Sequence, residues 1–277
     1  LPDEKAVVVG NWDYTHGGSR KSPPDARYLA GYGLSETNVD AAIAHMKESG
    51  VSAAWAITCW GPKDVIPFFA GPKFDDQHNM TTPPDYTTFD RWIKARPEVR
   101  YYCLFITGGG EWAGQKMGTE GFNKRMGALC KHWAAHIREL GVDPNRIVLC
   151  IWDEPSGPWQ AQIILAWAKA IRAAVPEFKF HVDPVFKEKA FSDPDVQKMF
   201  EMMDVVTVGT DYAYQSIGQP AVDFYESVRA KSNGKKWMGF YACAQNASEG
   251  ESIRYYRLQQ WACWQINKGG RHSWAGF

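Results

Sequence analysis

Along the chain, short runs of β-branched and aromatic residues alternate with longer segments whose apolar positions recur every three or four residues. The first pattern marks buried strands and the second marks amphipathic helices. "AVVVGNW" (6–12) predicts a first strand and "LSETNVDAAIAHMKESG" (34–50) the helix after it, with Ser35 as N-cap, Val39, Ile43 and Met46 on one face, and Gly50 as the stop. "VSAAWAITCW" (51–60) predicts a second strand, a loop with five prolines between 62 and 84 follows, and a short helix is expected over 86–95. "VRYYCLFIT" (99–107) is the third strand. Phe122, Met126, Leu129, Trp133, Ile137 and Leu140 then form the clearest helical stripe in the chain.

The alternation continues to the end. Strands are predicted over 146–152, 179–184, 205–212, 236–243 and 272–277. Between them fall helices carrying Ile163, Ile164, Trp167 and Ile171, then over 195–203, 221–231 and 253–268. Eight strands alternating with helices predict a parallel sheet with crossover helices, and eight such units make a (β/α)₈ barrel, a fold of roughly 250 residues. A doubly wound sheet would carry a Gly-rich phosphate turn after the first strand, whereas this chain has "GNWDYTHGG" there. The expectation is one barrel over 1–277, lacking or truncated in its last helix and trimmed from a longer protein.

Composition narrows the function more than the fold. With 31 basic and 31 acidic residues the chain has no net charge, which removes the electrostatic footprint of a nucleic-acid binder. No apolar run approaches the roughly 20 residues of a membrane span. Six scattered cysteines without a C-x-x-C spacing predict core thiols rather than a disulfide framework or a zinc site. Thirteen tryptophans are a surplus that suits a cleft stacking the flat faces of sugar rings. No cofactor and no metal are expected.

In a barrel the chemistry gathers where the strands end. Those ends read Asn11-Trp12, Cys59-Trp60, Thr107, Asp153-Glu154, Asp183, Asp211-Tyr212, Tyr241 and Trp274. Asp183 is expected to cap the following helix, and Asp211 is open between a cap and a working acid. Asp153 and Glu154 differ, because neighbours on a strand point to opposite faces and a cap uses only one of them. Two close carboxyls also push each other's pKa apart, as acid–base work requires. Most glycosidases set two carboxylates on separate strands, but the seventh strand here ends "YACAQN", with no acid. The adjacent pair fits the substrate-assisted exception, in which the 2-acetamido group of the sugar is the nucleophile. Asp orients that group, and Glu protonates the leaving oxygen.

"CIWDEP" after the fourth strand, "MGFYACAQN" at the seventh and "YRLQQWACWQINKGGRHSWAGF" at the end resemble glycoside hydrolase family 123 and a related bacterial domain of unknown function. Arg257, Trp261 and Trp274 match the C-terminal pattern, and the resemblance covers about the second half of the chain. It implies a β-N-acetylgalactosaminidase with Asp153 as acetamido stabiliser and Glu154 as general acid/base. Members usually carry a β-sandwich ahead of the barrel, which this chain lacks, so a trimmed piece or a diverged relative is expected.

Tyr241, Asn246 and Trp274 are the expected sugar contacts, Tyr241 to the acetamido group and Trp274 by stacking; Asn11, Trp60, Asp211 and Tyr212 complete the substrate-binding set. The partner is therefore a carbohydrate, a glycan or glycoconjugate, in an extracytoplasmic or secreted setting. His132 and His136 have the spacing of zinc ligands but lack the adjacent general base, so no metal is expected there. The loop "GGGEWAG" (108–114) either brings Glu111 and Trp112 to a cleft or is a plain connection, and Arg257 reads as a structural ion-pair partner. Two alternatives stay open: a glycan-binding barrel without turnover, and a glycosidase on neutral sugars pairing Glu154 with Asp211.

Overall fold

The computed structural model describes residues 8–11, 38–57, 71–106, 108–209, 217–232, 235–241 and 273–276. Eight strands build the main sheet: β1 (Val8–Asn11), β2 (Ala53–Ile57), β3 (Tyr101–Phe105), β4 (Ile147–Cys150), β5 (Lys179–Val182), β6 (Val205–Gly209), β7 (Trp237–Tyr241) and β8 (Ser273–Gly276). They run in the order β1-β8-β7-β6-β5-β4-β3-β2 of a closed barrel. Six helices alternate with them among the described residues: α1 (Val39–Glu48), α2 (Thr87–Ala95), α3 (Glu120–Glu139), α4 (Pro158–Ala174), α5 (Pro194–Met202) and α6 (Gln219–Lys231). The chain is an α/β barrel of the (β/α)₈ class, as the alternation predicts. The expected helix over 253–268 and the expected cap Ser35 lie outside the described residues. No described helix is long and apolar enough to cross a membrane.

By internal contacts the chain forms two compact units. One comprises Trp12–Trp152 and Ile163–Lys179. Its strands β2, β3 and β4 pair in parallel, with Ala53 opposite Tyr101 and Tyr102 opposite Ile147. The strand residues whose side chains are described are buried throughout, so the run of apolar residues is continuous rather than alternating, as a sheet covered on both faces requires. Helix α3 starts at Thr119, whose hydroxyl accepts the Phe122 N–H at 3.3 Å. Its predicted stripe is buried from Phe122 to Ile137, and Trp133 packs between Phe89 and Phe178 at ring separations of 5.6 and 5.0 Å. Gly50, at φ +77°, ends the turn after α1 in the left-handed conformation that glycine adopts without penalty.

Two small hairpins belong to the same unit, pairing Lys73–Phe74 with Met80–Thr82 and Glu111–Trp112 with Gln115–Lys116. Arg125 of α3 ties both down, donating to the carbonyls of Ala113 and Asp75 and to His78. The Gly-rich stretch is thus a built connection. Gly108 leaves no room for a Cβ, which would meet Ile151 at 2.7 Å, and the Gly109 carbonyl accepts the Trp167 indole N–H at 2.8 Å.

The other unit comprises Leu1–Asn11, Asp153–Gln162 and Phe180–Phe277. In it β5 pairs with β6, β6 with β7, β7 with β8 and β8 with β1, all in parallel. Helix α5 is capped by Asp193, which accepts the N–H groups of Asp195 and Val196, and Pro194 takes the first helical position. Phe191 stacks on Phe224 of α6 at 4.3 Å, and Phe200 meets the same ring edge-on at 5.2 Å.

Candidate active site

The apolar run "RIVLCIW" stops pairing earlier than its composition suggests. β4 ends at Cys150, and the backbone bends from Ile151 through Glu154. Asp153 and Glu154 therefore lie on a bend rather than on a strand, and the expectation that strand alternation separates their side chains is corrected. What sets them is the backbone of Glu154, with φ at +46°, a left-handed conformation that costs a glutamate of order 1–3 kcal/mol. The segment after it is firmly held. Pro155 is buried and its carbonyl accepts the Val185 N–H at 3.0 Å. Gln160, near the start of α4, reaches back so that its Oε1 accepts the N–H groups of Gly157 at 2.7 Å and Ser156 at 2.9 Å.

Asp183 holds the other side of this bend. It follows β5, is wholly buried, and its Oδ1 accepts the backbone N–H of Glu154 at 3.1 Å. The expectation that it caps a helix is corrected: the 3₁₀ turn Glu188–Ala190 that follows starts from Lys187, and α5 is capped by Asp193. Asp-Pro after a strand looks like a cap in sequence. Here, however, the proline starts a stretch without helix or strand, and the carboxyl meets the Glu154 amide. The side chains of Asp183 and Asp153 face each other within hydrogen-bonding reach. Burial pushes the Asp183 carboxyl well above the ordinary aspartate range, and the neighbouring charge of Asp153 pushes it further. Burial also raises Asp153, with the charge of Glu154 adding to it and the bond from Asp183 opposing it.

Glu154 itself is exposed, which gives its carboxyl access to a ligand. The Tyr241 hydroxyl donates to Glu154 Oε1 at 2.7 Å. That bond engages Oε1 and not Oε2. Tyr241 ends β7, where the common retaining layout would carry its nucleophile, and it is 4 % exposed. Its ring passes over Gly209 at the end of β6, level with it in the ladder. A Cβ at Gly209 would meet that ring at 3.2 Å, so glycine is what lets the phenol lie flat there. The hydroxyl expected on an acetamido group is, in this structure, bonded to Glu154.

Two buried polar residues on the same strands gave no sequence signal. His181 on β5 shares a 2.7 Å hydrogen bond with the Thr207 hydroxyl on β6, and burial pushes the imidazole down to about 3, so it stays neutral. Each stands singly in an otherwise apolar run. Of the other expected residues, Trp60, Asp211, Tyr212, Asn246, Arg257 and Trp261 lie outside the described residues. Asn11 is the last residue of β1. Trp274 stands opposite Gly239, two positions before Gly276, the residue level with Tyr241.

Most of the described tryptophans serve the core. Trp55, Trp92, Trp133, Trp167 and Trp237 are buried, and Trp159 alone among the large described apolar residues is exposed, at 55 %. The histidine pair on α3 is taken up locally. His136 bonds Asp90 at 2.6 Å and stacks on Tyr86, whose hydroxyl meets His132 at 2.9 Å. Cys103, Cys130 and Cys150 are buried free thiols, as expected; the other three cysteines lie outside the described residues.

No protein-family model matches the chain, and no curated protein sequence matches it. Solved structures do. An endo-β-1,4-glucanase from Xanthomonas axonopodis pv. citri, carrying three substitutions, aligns with a TM-score of 0.54 and 14 % identity over 98 % of this chain and 88 % of its own. Endoglucanase Cel5A from Thermotoga maritima gives 0.52 and 15 %, over 98 % and 89 %. A family 39 glycoside hydrolase from Bacteroides cellulosilyticus WH2 gives 0.55 and 9 %, over 100 % and 57 %. At these identities the likeness is one of fold: the barrel is shared.

Proposed function

We propose that this chain is a glycoside hydrolase that removes β-linked N-acetylhexosamine, with N-acetylgalactosamine as the foremost candidate, by substrate assistance. The observation that carries the reading is the arrangement of acids around one bend. Asp153 and Glu154 are adjacent, Asp183 lies behind them, and β7 contributes a phenol where a second catalytic carboxylate would stand. An enzyme built this way draws its nucleophile from the substrate. That the solved structures named above, which share its fold, are glucanases and a family 39 glycoside hydrolase supports a glycosidase, as does the resemblance of "CIWDEP" and the C-terminal segment to family 123.

In this mechanism the acetamido carbonyl oxygen attacks the anomeric carbon while the bond to the leaving oxygen breaks. Asp153, as a carboxylate, accepts the acetamido N–H and stabilises the positive charge that develops on the ring so formed. Glu154 gives its proton from Oε2 to the leaving oxygen, while Tyr241 holds Oε1. The ionised Glu154 then takes a proton from water as that water opens the cyclic intermediate, which restores the acetamido group and the acid. Retention of configuration follows from two inversions at one carbon.

The test is release of nitrophenol from an aryl β-N-acetylgalactosaminide. Glu154→Gln should lower kcat by about 10²–10⁴-fold, the usual worth of a general acid/base. A wild-type rate in that variant would overturn the assignment. Aryl glycosides without the N-acyl group should not be cleaved, and a thiazoline mimic of the cyclic intermediate should inhibit. Cleavage that ignores the acetamido group would instead favour a glycosidase acting on neutral sugars, and binding without cleavage a barrel that recognises glycans only.

A further inference from the structure

Asp183 takes no part in the mechanism above, yet it is the most deeply buried acid of the site, at 0 % exposure. It touches both catalytic positions. Oδ1 accepts the N–H of Glu154 at 3.1 Å, and its carboxyl faces that of Asp153 within hydrogen-bonding reach. An ionised carboxylate only accepts hydrogen bonds, so a bond between two carboxyl groups requires one proton between them. Which group keeps that proton is decided by burial. Asp183 is sealed from water, whereas Asp153 is partly exposed, and desolvation penalises the charged form more at the sealed group.

Resting on the reading of Asp153 and Glu154 given above, we propose that Asp183 is the positioning residue of this site, a neutral carboxylic acid that donates its O–H to Asp153 and accepts the Glu154 N–H. One buried group then does two things. It keeps Asp153 an oriented carboxylate, able to take the acetamido N–H. It also anchors the amide of Glu154 at the residue whose backbone is left-handed, so the acid is held where it protonates the leaving oxygen. The same O–H saturates one oxygen of Asp153 and leaves the other for substrate. Nothing in this role requires Asp183 to touch the sugar.

The neutral state makes a sharp prediction, because asparagine reproduces it. In D183N the amide N–H serves Asp153 and the amide oxygen serves Glu154. With an aryl β-N-acetylhexosaminide, D183N should keep kcat within about three-fold of wild type, whereas D183A should lose about 10²-fold in kcat with KM little changed, the scale of a misplaced catalytic group. A second readout does not depend on activity. In full-length protein labelled with carbon-13 at the aspartate carboxyls, one resonance should sit at the protonated position at neutral pH and be missing from D183N. The proposal is overturned if D183N is as impaired as a folded D183A, or if no aspartate carboxyl is protonated at neutral pH. If D183A fails to fold, the D183N rate and the carboxyl resonance decide. If the wild type cleaves no N-acetylhexosaminide, the functional reading fails alone, and the resonance still decides whether Asp183 is neutral.

Discussion

Strands β2, β3 and β4 on one side and β5, β6 and β7 on the other obey the same geometry but bury different chemistry. The first three contribute only apolar and aromatic residues, among them two tyrosines, Tyr101 and Tyr102, the second with its hydroxyl satisfied by the Arg96 carbonyl at 2.8 Å. The second three bury His181 and Thr207 and end at Asp183 and Tyr241. Buried polar groups cost free energy unless they are paired, and here each bonds a named neighbour. Positive-φ residues divide in the same way. His78 and Ala113 lie in hairpin turns tied down by Arg125, while Glu154 is held by a buried acid. The lesson is that one set of strands is spent on cohesion, whereas the other gives up some of it to hold a constellation in place.

Four measurements would break or sharpen that contrast. The largest expected effect is that of Glu154→Gln, which should abolish most turnover, about 10²–10⁴-fold, with the melting temperature nearly unchanged. Trp133→Ala should do the reverse, lowering stability in denaturant titration by about 3–5 kcal/mol while kcat of the remaining folded protein is retained. Should the two variants show each other's pattern, the division fails. Gly209→Ala puts a methyl group 3.2 Å from the Tyr241 ring, and should cost about 1–3 kcal/mol by overpacking and displace the hydroxyl from Glu154. Steady-state kinetics should then show kcat down by about ten-fold, since the acid has lost its partner.

The smallest effect is one of pH. The carboxyl of Asp183 is raised in the folded state, so below the unfolded aspartate value of about 4 both states are protonated and no penalty exists. As pH climbs, the unfolded chain ionises first, and stability contributed by this group is lost until pH passes its folded value. Melting temperatures of wild type and D183N should therefore diverge above about pH 4, in favour of D183N. Parallel pH profiles for the two proteins would contradict a retained proton.

Periodicity made the barrel legible because every strand run and helical stripe is long enough to specify its face. Helix α3 and its buried positions follow from spacing alone, and the strand runs erred only in length, since residues such as Trp152 continue the apolar run after the ladder has stopped. The acid pair was legible for the same reason it is costly: two carboxyls seldom end an apolar run. Asp183 was misread because Asp before Pro carries a strong local meaning, and its real partner, the Glu154 amide, is 29 residues away. His181 and Thr207 were invisible because a single polar residue in a buried strand leaves the pattern intact. The left-handed backbone of Glu154 could not be inferred either, as glutamate is not a residue that announces it.

That backbone sets a constraint on how this site can change over generations. Glycine and asparagine are the residues that adopt such a conformation at least cost, and neither can carry a proton to a leaving group. On the mechanism proposed above, drift toward a more comfortable backbone at position 154 therefore leads directly away from chemistry. Once turnover is no longer under selection, nothing holds the glutamate there. Among homologous barrels, the residue at this one position should sort those that still cleave from those that have kept only the shape.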